Sequence, residues 1–178
     1  VDRTSTVSGN VNVTATQIIA GSIVATGQIE LTATSGGIGR DGGVPVNVTG
    51  GTLVTASIGG VTLHTQVDNL QSSISGAGNL LIQETDAIDV ALVSVASGNI
   101  TLNNTTGLVD VQSLTAVGGS LVMAADDVRF NQTIDQVQSV DADLTGDLTL
   151  TAGIAVVGPV NIDVAGNVVG GGSVAIDL

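Results

Sequence analysis

The sequence predicts an all-β chain wound as a parallel β-helix of about eight rungs, with a β-sandwich as the competing fold. Three observations lead there. Similar phrases recur along the chain: SGNVNVTAT from Ser8, TGQIELTAT from Thr26, SGNITLNNT from Ser97 and TGDLTLTAG from Thr145. Within each phrase apolar residues alternate with mostly polar ones, the period of a strand with one dry and one wet face. Aromatic residues are nearly absent, Phe130 standing alone without Trp or Tyr. A narrow β-helix stacks small branched side chains in ladders and has no room for a large ring in every rung, whereas a sandwich core commonly holds one.

Anchored on their glycines, the phrases start at Gly9, Gly27, Gly59, Gly78, Gly98, Gly119, Gly146 and Gly172, with gaps of 18, 32, 19, 20, 21, 27 and 26 residues. Four gaps lie near twenty, and the three longer ones read as a basic unit plus an insertion. The expected core pairs are Val11 and Val13, Ile29 and Leu31, Val61 and Leu63, Leu80 and Ile82. They continue as Ile100 and Leu102, Leu121 and Met123, Leu148 and Leu150, Val174 and Ile176. Asn12, Glu30, Thr62, Thr101 and Thr149 are then expected to face outward. A second apolar cluster follows in most units, as at Ile18, Ile19, Ile23 and Val24, or Leu108, Val109, Val111 and Leu114, so each coil has two or three strands. Turn formers separate them, as in Ala20-Gly21-Ser22, Asn103 to Gly107 and Gly158-Pro159. Apolar residues do not recur at helical spacing and β-branched residues dominate, so no helix is expected.

The whole chain, 1–178, reads as one solenoid segment with a loop insertion around 35–48, SGGIGRDGGVPVNV. One coil cannot fold alone, because the few aliphatic side chains it buries do not offset the backbone entropy of ordering it. Each rung must be held by its neighbours.

Composition narrows the function. There is no Lys, and Arg3, Arg40 and Arg129 stand against sixteen Asp and Glu, for a net charge of −13. Nucleic acid and anionic membrane surfaces are disfavoured as partners, since both need clustered positive charge. No segment is long and apolar enough for membrane insertion as a helix. The missing rings remove the stacking platforms of many sugar and single-strand sites. Without cysteine there are no disulfides, thiolate metal sites or thiol nucleophiles.

Candidate chemistry is sparse. His64, the only histidine, has no partner legible in the sequence and is expected as an exposed strand residue. The densest acidic groups are Asp126-Asp127, Asp141 with Asp143 and Asp147, and Glu84 with Asp86 and Asp89. Calcium takes about six to eight oxygen ligands, which makes Asp141, Asp143 and Asp147 the metal candidates. The nonapeptide of calcium-binding β-rolls does not recur, so solvated charges that blunt strand edges are the expectation, with no cofactor required. The Arg40-Asp41 pair marks the 35–48 insertion as the candidate interaction loop, because recognition on solenoids tends to sit in such loops. Asn-x-Ser/Thr sequons occur at Asn12, Asn47, Asn99, Asn103, Asn104 and Asn131. Paired carboxylates on a β-helix keep a polysaccharide-active enzyme as the enzymatic alternative, but the basic and aromatic residues that hold a sugar are missing. A non-enzymatic role is expected.

The phrases SGNITLNNTTG, TGDLTLTAG and SGGIGRDGG resemble the repetitive regions of large bacterial exoproteins and adhesins of the filamentous haemagglutinin type, from about Ser8 to Leu178. That resemblance implies a right-handed parallel β-helix at the bacterial cell surface, secreted and serving as a stalk or adhesive surface. The chain is far shorter than those exoproteins, which implies either an excised segment or a self-assembling subunit of an extracellular fibre. Its partners are then other segments of the same large protein, copies of itself end to end, or a host or cell-surface receptor.

Overall fold

A computed structural model describes residues 4–104, 106–132, 134, 137–151, 154–156, 158–170 and 174–176. Every ladder in it is parallel and no helix occurs among the described residues, so the chain is a β-solenoid and not a sandwich. The coil has three sides. On the first, one residue from each of eight coils stands in a single column: Ile18, Ile38, Val61, Leu80, Ile100, Leu121, Val140 and Val160. We number the coils one to eight by that column. The step is 19 to 21 residues except between Ile38 and Val61, where it is 23.

The second side is the ladder of Leu108–Val111, Asp127–Phe130, Leu148–Leu150 and Val168–Gly170, whose column at Val111 continues back through Val90, Leu70, Leu53 and Ile29 to Val11. Thr4–Val7 pairs with Ser22–Ala25, where Ile23 registers with Val48 and Val48 with Thr65 at the end of the first side. Val11–Ala15 and Gln28–Ala33 run on from the second side into the third, where Val13 and Leu31 stand in the column that reaches Leu114–Ala116, and the third side also includes the pair Ile154–Val156 with Val174–Ile176. In coils two to four a single strand bends around a corner to serve two or more sides. Val61–Ala77 makes almost a whole turn, and Ile88–Ser97 rounds one corner with a register shift between Val90 and Leu92.

Alternation fills the lumen. Ile29, Leu31, Leu53, Leu63, Leu70, Leu80, Ile100 and Leu121 are wholly buried, and the residues between them face outward. Two members of the second apolar clusters lie outside instead: Ile19 is 62% exposed and Leu92 48%. Ile19 alternates between buried Ile18 and Ala20, so the pleat sets its facing, and Leu92 follows the register shift after Val90, which leaves it outward ahead of buried Val93.

Two sequence expectations are corrected. The long gaps between phrases hold no large insertions. The phrase changes side: Gly9, Gly27 and Gly146 precede strands that start on the second side, and Gly59, Gly78, Gly98 and Gly119 precede first-side strands. A long gap is one coil plus the stretch between two corners. Gly172 lies outside the described residues. The insertion is also narrower than 35–48, since Ile38–Arg40 is a first-side strand with Ile38 buried and Val48 begins the next. The excursion is 41–47, which accounts for the longer second coil.

Polar residues at the corners, several of them just after a phrase glycine, have a structural task. Asn10 Oδ1 accepts from Gln28 N at 2.9 Å, Asn79 from Asn99 N at 2.9 Å, Asn99 from Ser120 N at 3.0 Å, Asp127 from Asp147 N and Asp147 from Asn167 N, both at 2.7 Å. Each corner thus uses a side-chain oxygen to catch the backbone N–H one coil on, where the ladder itself is interrupted. Asn99→Ala is expected to cost about 0.5 to 1 kcal/mol, the low end for a hydrogen bond because water reaches the freed Ser120 N–H. Denaturant unfolding checks the loss. Asn99→Asp, which keeps the acceptor, is expected to lose less.

Candidate functional site

The 41–47 excursion is the most constructed surface feature. Asp41 opens it as a tight turn: its Oδ1 accepts Gly43 N at 3.1 Å and its carbonyl accepts Val44 N at 3.2 Å. Asn47 closes it from inside. Fully buried, its amide donates to the carbonyls of Ala20 and Gly21, each at 3.2 Å, and its Oδ1 accepts His64 N at 3.3 Å. Val48 registers with Thr65, so the third coil brings His64 under the loop.

His64 therefore is not the unpartnered exposed residue that the sequence suggests. It is half-buried, with Nδ1 2.9 Å from the Pro45 carbonyl and Nε2 2.7 Å from Arg40 Nη1. A neutral ring satisfies both by donating from Nδ1 to Pro45 and accepting at Nε2 from Arg40. Arg40 and Asp41 stand side by side in the chain but do different work, Arg40 clamping the loop onto the next coil and Asp41 shaping its turn. The signal that could have found this is the coil period, which puts His64 about one turn beyond Arg40. The extra residues of the insertion obscure it.

The acidic candidates separate. Asp141 and Asp143 both point outward from the first side of coil seven, in register with Asn161 and Asp163 on one flank and Val122 and Ala124 on the other. Together they line a shallow groove of about 370 Å³. Asn161 Nδ2 donates to Asp141 at 2.9 Å. Asp147 does not join them. It sits at the next corner, where its carboxylate takes the Asn167 backbone N–H and side-chain amide. Asp163, which periodicity of twenty would have flagged, stands in its place. Among the described residues no group of three or more His, Cys, Asp or Glu is arranged to hold a metal ion.

A second acidic ladder lies outside the second side, where Asn69, Asp89, Asp110 and Arg129 are stacked in successive coils. Arg129 forks onto Asp110, with Nε donating at 3.1 Å and Nη2 forming an ion pair, and Asn131 Nδ2 donates to the same carboxylate. Asp110 raises the Arg129 pKa further above its ordinary value, by hydrogen bonding first and charge second. Asp89 has no such donor. Burial, then the charge of Asp110, raises its pKa, and Arg129 offsets part of the rise. Glu84 and Asp86, grouped with Asp89 by sequence, belong elsewhere: Glu84 points into the lumen and is 2% exposed. Of the sequons, those at Asn47 and Asn104 are buried, so their amides are committed to the fold.

What the surface offers chemically is carboxylates, amides and hydroxyls in rows about one strand spacing apart, ~4.8 Å. Such rows suit repeated weak polar contacts along a rod. No family model, no curated protein and no solved structure matches this chain.

Proposed function

We propose that the chain is a non-enzymatic structural or adhesive β-solenoid segment of a secreted bacterial cell-surface protein, acting as a rigid stalk or interaction surface. The single observation that supports it best is the unbroken parallel register of one column through eight coils, each bonded only to the coils before and after it. The column spans about 34 Å, from seven spacings of ~4.8 Å. Its outward rows, with the Arg40 clamp and the Asp41 turn standing proud of them, are the surface available to a host or cell-surface receptor.

The second reading is a self-assembling subunit of an extracellular fibre, stacking end to end. Its contact faces would be the two end coils. Val168 occupies the same inward column as Leu148, yet is 65% exposed against 3%. Val11 and Val13 are likewise half-exposed, where their column partners Ile29 and Leu31 are wholly buried. A further coil, from the same protein or from a second copy, would cover them.

Sedimentation over a concentration series, with electron microscopy, separates the two. A monomeric rod at every concentration supports the segment, and filaments of constant width that lengthen with concentration support the fibre subunit. Cleavage of any soluble polysaccharide in a panel, lost in Asp141→Asn or Asp147→Asn, would overturn both in favour of the enzyme.

A further inference from the structure

One corner of the lumen is not aliphatic. Where the first side turns into the second, four successive coils place a polar side chain inward: Asn47, Thr65, Glu84 and Asn104, exposed by 0, 0, 2 and 7%. Thr65 registers with Glu84 and Glu84 with Asn104, so the last three are vertical neighbours. A hydrogen-bond account of the column almost closes. Thr65 Oγ donates to Glu84 Oε2 at 2.8 Å, Thr85 N donates to Oε1 at 2.8 Å and Val67 N lies 3.4 Å from Oε2. Asn104 Nδ2 donates to the Asp86 carbonyl at 2.6 Å. Asn104 Oδ1 is buried with no donor. Between the two coils lies a void of about 10 Å³, lined by Glu84 and Asn104 and by Ile82, Ile88, Val90, Leu102 and Val109. It is at the limit for a single water and otherwise apolar.

We propose that Glu84 and Asn104 form a proton-operated latch between coils four and five. Protonated, the Glu84 carboxyl supplies the donor that Asn104 Oδ1 lacks, and the corner closes. Deprotonated, it sets a carboxylate against an orphan carbonyl oxygen across an apolar gap, and the two coils loosen there.

The surrounding charges agree. Asp86, two residues on, is a second negative charge, with Gln66 Nε2 3.4 Å from its carboxylate. Asp68 and Asp89 lie on the outward side of the adjoining strands. In the coils before it, Asp41 caps its own turn and Arg40 is spent on His64, which faces away toward the loop. In the coils after it, Arg129 is spent on Asp110. Among the described residues no cation faces the carboxyl. Burial therefore dominates: the Glu84 pKa is pushed up to about 7, with the Thr85 N–H and Thr65 hydroxyl opposing and Asp86 assisting. Because the folded value exceeds the ordinary 4.5, the folded chain holds the proton a few hundredfold more tightly than the unfolded one. This stabilisation is fully present below about pH 4.5, declines as pH rises toward 7, and is gone above it.

Carbon-13 NMR of the glutamate carboxyls tests it, with Glu84→Gln assigning the resonance. Glu84 is expected to titrate near neutrality, and the denaturant midpoint of the wild type to fall between pH 5 and 8. Glu84→Gln, neutral and still able to donate to Asn104, is expected to lose that fall. A Glu84 carboxyl titrating below pH 5 overturns the latch. So does a Glu84→Gln chain that keeps the full wild-type pH dependence.

Discussion

Phe130→Ala is expected to lower the unfolding free energy by about 3 to 5 kcal/mol, the range for removing a buried ring. Phe130 is the one aromatic residue of the chain and is 1% exposed. It points into the lumen from the second side, between Val111 in the coil before and Leu150 in the coil after. Relief by collapse is restricted, because hydrogen bonds fix the spacing of coils above and below and the lumen wall cannot close in on one rung alone. The expected loss therefore lies at the upper end. Phe130→Leu keeps most of the volume and is expected to cost under about 1.5 kcal/mol. Denaturant titration with both variants checks the pair. A solenoid adds a second signature: weakening one interface uncouples the coils on its two sides, so Phe130→Ala is expected to broaden the transition or split it in two. A loss below 1 kcal/mol with unchanged cooperativity would mean the ring does not bridge rungs.

Gly119→Ala is expected to be comparably damaging, at about 3 kcal/mol, although it adds a single methyl group to an apolar corner. Gly78, Gly98 and Gly119 stack in successive coils so closely that a Cβ on Gly119 would overlap the Gly98 carbonyl oxygen, and one on Gly98 the Gly78 carbonyl. The obstacle is backbone held by its own ladder, so neither partner can yield, which places the cost at the top of the overpacking range. Gly98 also has φ +143°, where L side chains are strained. Gly42→Ala is the control, since its Cβ would meet nothing in the excursion and its φ is ordinary; it is expected to change stability by less than about 0.5 kcal/mol. Thermal and denaturant unfolding of the two single variants decides. Equal stabilities would mean that the corner glycines serve flexibility and not close approach.

The recurring phrase carried most of what could be read without coordinates. Alternation at Val61 and Leu63 or at Ile100 and Leu102 states which residues face inward, because a strand has only two faces. The absence of rings and the spacing near twenty state that the strands stack as coils. The phrase does not state which side of the coil it builds. More than one side asks for the same pattern of glycine, polar residue and alternating aliphatics, so the phrases at Gly27 and Gly146 start the second side and that at Gly98 starts the first. Reading 32 residues as a unit plus an insertion was the result.

Local pattern by itself thus determined strand, facing and the need for neighbours, since these depend on residues one or two apart. The tertiary structure alone decided what meets one coil away. It put Arg40 on His64 across the excursion, took Asp147 from Asp141 and Asp143 and gave them Asp163, and set Glu84 in the lumen under Asn104. Those pairings lie about twenty residues apart, and a residue gained or lost in any coil changes which side chains face each other. Register is a property of the stack, and the hydrogen bonds between coils fix it.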